Sequence, residues 1–267
     1  MMITSPANPR LKAIRKLRER KARQESGLFY AEGLRIVVEA VQQSAQIETL
    51  VTAPQLLDSP VGQRLAADFA AAGGEVLELS AEAFQAIALK DDPVGIAAVI
   101  HQNWVSLSQV SVQPDELWIA LDEAADPGNL GTILRTSDAI GGSGVILLDH
   151  CTDPYDPTAI RASMGALFSQ RLVKAQLGDF AAWKQAHGFP LVGTSGAART
   201  DYQELVYPSG VVLLMGSERE GLSEAHLGLC DAVVRIPMVG RSDSLNLAVA
   251  TALVAYEVFN QKRRKTG

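Results

Sequence analysis

Polar side chains cluster at three places in the second half of the chain, each close behind an apolar run. The first is Asn129-Leu-Gly131-Thr-Ile-Leu-Arg135. An amide at a helix start can cap the helix or face a ligand. Arg135, six positions on and among apolar neighbours, either meets an anion or carries its charge out to water on an apolar stem. Spacing leaves both readings open. The second is Gly216-Ser217-Glu218-Arg219-Glu220-Gly221-Leu222, where the apolar run from Val211 ends. A glycine at a strand end lets a ligand approach the backbone. An ordinary charged turn before a helix capped by Ser223 is the plainer account, and Glu218 fits it least. The third is Ile236-Pro237-Met238-Val239-Gly240-Arg241-Ser242-Asp243-Ser244-Leu245-Asn246. Ser242, Asp243 and Ser244 are each plausible caps for the helix that follows.

These groups need strands and helices to hold them. The second half alternates apolar runs with helical patterns. Strands are expected at 117–122, 145–149, 171–176 and 190–196, and helices at 129–141, 157–168 and 179–188. Continuously apolar strands between helices point to a parallel sheet covered on both faces, and such sheets hold ligands beyond their strand C-termini. The last helix is apolar almost all round, so it belongs in a core or an interface. The first half also alternates, with strands at 28–33, 47–53, 75–80 and 94–102. Asn8-Pro9 starts a helix whose stripe is Leu11, Ile14 and Leu17, extending through the basic run to Arg23. The fold class is thus α/β, with a domain over 1–102, a polar linker over 103–116 and a second domain over 117–267.

The 267 residues, 47% hydrophobic and 20% charged, suit a globular chain with a sizeable core. No apolar run reaches the ~18 residues of a membrane span, and Met1–Arg10 lacks a secretory pattern, which points to the cytoplasm. Cys151 and Cys230 have no metal or CxxC spacing and read as reduced structural residues. The four histidines, 101, 150, 187 and 226, show no ligand spacing, so no metal is expected. Gly142-Ser-Gly144 precedes its strand, which excludes a dinucleotide loop, and there is no GxxxxGK[ST]. Net charge is −6, yet eight of the 24 basic residues lie between Arg10 and Arg23 beside one acid, Glu19, and four more end the chain at 262–265. Local charge acts over about a Debye length, ~8–10 Å, so Arg10, Arg15, Lys16 and Arg20 could hold phosphate despite the acidic total. A solvated helix face is the alternative.

The three polar stretches, in order, resemble the signature motifs of the SpoU (TrmH-type) RNA 2′-O-ribose methyltransferases of the SPOUT superfamily. Arg161-Ala-Ser163-Met-Gly165-Ala-Leu-Phe resembles that family's second helix, and Asp91-Asp-Pro93-Val-Gly95-Ile-Ala-Ala the end of its N-terminal substrate domain. The resemblance covers nearly the whole chain. It implies a C-terminal trefoil-knotted methyltransferase domain, a homodimer packed through the knot, and S-adenosylmethionine as cofactor. It implies cofactor contacts at Gly216, Ile236, Leu245 and Thr194, and catalytic roles for Arg135, Asn129, Glu218, Ser244 and Asn246. The N-terminal domain resembles a ribosomal-protein-like module, so 23S-type ribosomal RNA is the expected substrate. Transfer RNA, or RNA binding without catalysis, are the alternatives.

Overall fold

The computed structural model describes residues 2–266, the side chains of 265 and 266 excepted. The chain runs α1 (Pro9–Lys16), α2 (Arg20–Ser26), β1 (Leu28–Glu32), α3 (Leu34–Gln42), β2 (Ile47–Thr52), α4 (Pro60–Ala71), β3 (Val76–Glu78), α5 (Ala81–Gln85) and β4 (Ile96–His101). It continues through β5 (Leu117–Asp122), α6 (Pro127–Ala139), β6 (Gly144–Leu148), α7 (Pro157–Ser163), β7 (Arg171–Ala175), α8 (Leu177–His187), β8 (Leu191–Thr194) and β9 (Thr200–Asp201). It ends with β10 (Val211–Met215), α9 (Glu224–Leu229), β11 (Ala232–Arg235) and α10 (Leu247–Thr266). Two compact units result: Met1–Gln102 with Asp153–Ser169, and Asn103–Thr152 with Gln170–Gly267. The polar stretch after Gln102 belongs to the second unit. There Val105 bridges Val173, and the Trp183 indole donates to the Val110 carbonyl at 3.0 Å.

The first unit is built on a four-stranded sheet, order β1-β4-β2-β3, with β4 antiparallel to both neighbours and β3 parallel to β2. Asn8 caps α1 and Pro9 opens it, as the sequence predicts. Leu11, Ile14 and Leu17 are buried with Val51, Leu77 and Phe84. Each such burial contributes about 1.5–3 kcal/mol. The single basic helix expected up to Arg23 is instead two helices, broken after Lys16. Arg23 supplies the reason. Its guanidinium is 1% exposed and takes the carbonyls of Leu17 (2.9 Å) and Arg18 (2.8 Å), which an unbroken helix would have used internally. Its Nε pairs with buried Asp153 at 2.8 Å. Arg23 therefore belongs to the core and not to the basic surface. The helix expected over 157–168 also stops early, at Ser163, where Met164 and Gly165 have φ of +54° and +100°. A Cβ on Gly165 would fall 2.5 Å from the Glu39 side chain, and its φ is one that glycine adopts without strain.

The second unit holds seven parallel strands in the order β7-β6-β5-β10-β8-β11-β9. β10 comes late in the chain yet lies between β5 and β8, and β11 lies between β8 and β9. One face of α10 is buried, through Leu247, Ala248, Thr251, Val254, Ala255 and Val258. Val249, Leu253 and Tyr256, spaced one helical turn apart, remain 38–49% exposed. Burial pushes the Cys151 thiol up to about 12 and the Cys230 thiol up to about 11, and neither is in a disulfide, which suits structural cysteines.

Replacing Arg23 with Met should lower stability by about 3–5 kcal/mol, because Asp153 is left as a buried, unpaired carboxylate. Urea denaturation of the full chain measures it. A loss near zero would mean that the pair is not formed.

Candidate functional site

Parallel pairing sets Met215 beside Leu121, and Leu214 beside Gly193, so the loops after β5, β8 and β10 leave the sheet together. Glu218 reaches across this end. One carboxylate oxygen accepts the Ala125 backbone N–H (3.1 Å) and the other accepts the Asn129 amide (2.9 Å). The carbonyl of that Asn129 amide accepts from the Asn246 amide at 2.9 Å. The Asn246 carbonyl in turn accepts the backbone N–H groups of Ala248 (2.9 Å) and Val249 (3.3 Å). Three motifs distant in sequence thus meet in one hydrogen-bonded chain, and its direction fixes which way each amide faces. Asn246, not Ser242, Asp243 or Ser244, caps α10. Asn129 lies inside the first turn of α6, since Asp126 is the cap and accepts the Asn129 backbone N–H at 2.7 Å.

A cleft of about 320 Å³ adjoins this chain of bonds. Gly216, Ile236, Leu245 and Thr194 all line it, with Glu218 and Ser244. Met215, Leu222, Met238 and Leu247 complete its apolar wall. Motif spacing alone did not single these four out, because apolar residues beside a sheet read equally well as core. Gly216 has a second reason for being glycine besides ligand approach. A Cβ there would lie 2.2 Å from the Gly221 carbonyl carbon, where the loop folds back through the Ser217–Gly221 bridge.

Two expected residues stand apart from the bonded chain. Ser244 lines the cleft but bonds only its neighbour Asp243, at 3.4 Å. Arg135 is exposed on α6, and no hydrogen bond or ion pair is found for it among the described residues. Of the two readings that spacing left open, the structure shows the guanidinium carried out to water. A buried pair lies behind the β5 end: His226 Nε2 is 3.2 Å from the Asp122 carboxylate, while its Nδ1 is 2.6 Å from the Ser223 hydroxyl. Asp149 lies within 4.8 Å of both partners of that pair, a convergence that histidine spacing could not reveal. Burial raises the Asp122 carboxyl above its usual range.

In the first unit, Lys16 and Arg20 are exposed. Arg10 pairs with Glu75 at 2.7 Å, and Arg15 donates to the Pro6 carbonyl at 3.1 Å. At the far end of the chain, Lys262 donates to the Asp115 carbonyl and Arg264 pairs with Glu257 at 3.6 Å. The Lys265 side chain lies outside the described residues.

Residues 116–256, more than half of the chain, match the SpoU rRNA Methylase family. The chain belongs to that family. Residues 8–98 of this SpoU methylase match the MRM3-like substrate binding domain. It is 32% identical to a 23S rRNA (uridine(2479)-2′-O)-methyltransferase of Streptomyces viridochromogenes, over 92% of this chain and 87% of that one. It is 29% identical to a 23S rRNA (guanosine(2553)-2′-O)-methyltransferase of Bacillus subtilis, over 96% and 98%. The crystal structure of an AdoMet-bound rRNA methyltransferase from Sinorhizobium meliloti superposes with a TM-score of 0.89 at 40% identity, over 97% of each chain.

The Gly216 contact generates a direct test. Gly216→Ala should destabilise the chain by about 1–3 kcal/mol or more, since backbone must move to admit the methyl. Gly196→Ala, whose Cβ would meet open space, should stay within about 0.5 kcal/mol of wild type. Equal denaturation midpoints for the two variants would contradict the loop geometry.

Proposed function

We propose that this SpoU methylase transfers a methyl group from S-adenosylmethionine to a ribose 2′-hydroxyl of ribosomal RNA. The observation that carries the proposal is the bonded chain Asn246–Asn129–Glu218 on the rim of the 320 Å³ cleft. The ribosomal substrate of the Streptomyces and Bacillus relatives supports the choice of RNA.

The cleft's residues fit the cofactor. Its volume lies at the lower end of the small-molecule range, ~300–1,000 Å³. Leu222, Met238 and Leu245 give apolar walls for a flat base, and Thr194, Gly216 and Ile236 stand at the sheet's edge with polar backbone at hand. When bound, the cofactor supplies an activated methyl on a sulfonium with a neutral leaving group, so the transfer has no chemical need of a metal. What remains for the protein is positioning. Glu218, held by two donors, fixes the Asn129 amide, and Asn129 fixes Asn246; the pair orient the ribose at the cleft mouth. Ser244, on the cleft wall, offers a hydroxyl to the same ribose.

Arg135 acts on the developing charge. A 2′-hydroxyl is a poor nucleophile until its proton leaves. A guanidinium holds its proton too tightly to be a good base. Arg135 therefore pairs with the target phosphate and stabilises the alkoxide, while the proton passes to solvent. Its exposure leaves it available to RNA.

The exposed stripe Val249, Leu253 and Tyr256 supports a homodimer packed through the second unit. Thr132 and Thr136 of α6 line a shallow cavity together with that stripe, so Arg135 lies next to the proposed dimer face. The insertion of β10 and β11 between earlier strands supports a trefoil-knotted C-terminal domain. The domain of residues 1–102 holds the RNA, with exposed Lys16, and with Arg10, Arg15 and Arg20 once their present partners are exchanged for phosphate. The 103–116 stretch, which packs with the second unit, leads from it into the catalytic residues of 117–267. A ribosomal RNA substrate supports a cytoplasmic location.

Arg135→Ala should abolish transfer of labelled methyl to ribosomal RNA while leaving cofactor affinity, measured by calorimetry, within about twofold of wild type. Near wild-type transfer would remove Arg135 from the mechanism. Reversing the charge of Lys16 and Arg20 together should weaken RNA binding and lower the slope of log affinity against log salt by about 1.5 to 2. An unchanged slope would take this face out of the interface.

A further inference from the structure

A second pocket, of about 190 Å³, lies wholly within the first unit. Tyr30 and Glu32, on the last turn-out of β1, form its floor, with Leu89 and Ile160 as apolar sides. Both floor residues are more than nine-tenths buried, at 3% and 9% exposure. Glu32 Oε2 accepts the Leu89 backbone N–H at 2.6 Å. Among the described residues, its other oxygen, Oε1, has no well-formed hydrogen bond, and neither has the Tyr30 hydroxyl. The Tyr30 hydroxyl and the Glu32 carboxyl lie within hydrogen-bonding reach of each other, but neither is aligned for a good bond. Two buried polar atoms without a well-aligned partner leave capacity for a third group that bonds both. Arg23, in the same unit, shows the opposite case, with each of its three side-chain nitrogens directed at an acceptor.

The charges around the pocket narrow what that something is. The floor is acidic, which rejects an anion. Lys90 and Arg161, both exposed, line the pocket as well, and they reject a cation. A ligand that suits both has an uncharged hydrogen-bond donor at its tip and a negative charge at its base. A nucleotide has this form. An exocyclic amino group donates to a carboxylate such as Glu32 Oε1, the Tyr30 hydroxyl can donate to or accept from the neighbouring ring atom, and Lys90 and Arg161 meet phosphate. Unstacked bases read on their Watson–Crick edges between apolar side chains are the usual means of sequence recognition in RNA.

We propose that this pocket receives one splayed-out RNA base bearing an exocyclic amino group, and so contributes to the choice of RNA site by the first unit. The proposal rests on the reading of this protein as an RNA methyltransferase. The test uses the full-length, ¹⁵N-labelled protein titrated separately with AMP, CMP, GMP, UMP and inorganic phosphate. The reporter is the Leu89 amide, which bonds Glu32. At least one of the three amino-bearing nucleotides should shift it saturably, and UMP should bind about tenfold more weakly, as should that nucleotide to Glu32→Gln. Tyr30→Phe should weaken binding severalfold. Melting temperature and S-adenosylmethionine affinity, measured on the same samples, report whether each variant is folded. If Glu32→Gln proves unfolded, the nucleotide series on wild type and Tyr30→Phe decide. The pocket is overturned if no nucleotide shifts Leu89, if UMP or phosphate shifts it as strongly as the others, or if folded Glu32→Gln binds like wild type. Methyl transfer to RNA is followed in parallel. Transfer with no Leu89 response sinks the pocket alone, whereas a Leu89 response without transfer sinks the enzymatic reading alone.

Discussion

β10 pairs in parallel with β5 on one side and with β8 on the other, and the second unit's site depends on that insertion. Parallel register carries the C-terminal ends of three strands to the same edge, where their backbone groups run out of ladder partners and polar loops take over. Only with Met215 beside Leu121 can Glu218 bond both Ala125 and Asn129. A slip of one residue would turn every side chain of β10 to the opposite face and carry Glu218 away from α6. Gly216 protects the same register, because the returning loop occupies the space a side chain would need.

The bonds that hold the site together also cap its helices. Asn246 closes the first turn of α10 and clamps Asn129 with the other end of the same amide. Asn129 belongs to the first turn of α6, whose cap is Asp126. Stability and positioning are therefore coupled through one set of hydrogen bonds, and the polar groups are oriented before any ligand arrives, which limits the reorganisation that a reaction there requires. The first unit handles its buried charge in two ways. Arg23 is bonded at every side-chain nitrogen and locks the α1–α2 break; Glu32, among the described residues, is well bonded on one oxygen. That difference separates a structural charge from one with capacity left for a ligand.

Much of this was legible in the chain. Continuous apolar runs between helical patterns gave away the parallel sheet, and Asn8-Pro9 with Leu11, Ile14 and Leu17 gave away α1 and its buried stripe. The meeting of Asn129, Glu218 and Asn246 followed from motif order and family resemblance, since local pattern could not separate Glu218 from a charged turn. Other features lay beyond local pattern. The α1–α2 break depends on a guanidinium that reaches back to carbonyls five and six residues away, and its partner Asp153 is 130 residues distant in sequence. Strand order depends on which edge a late strand enters, and periodicity carries no record of that. Apolar sequence neighbours left Arg135 open to either reading; a helix turns one residue in every few toward water, and Arg135 is on that side.

The central claim is that this chain methylates a ribose 2′-oxygen in ribosomal RNA. Site-resolved mapping of 2′-O-methylation across total ribosomal RNA, from cells with and without the intact gene for this chain, tests it most directly. The account predicts that one ribose methylation disappears when the protein is absent and returns with wild-type protein, while the rest of the pattern is unchanged. An identical ribosomal pattern in both cell lines would contradict it.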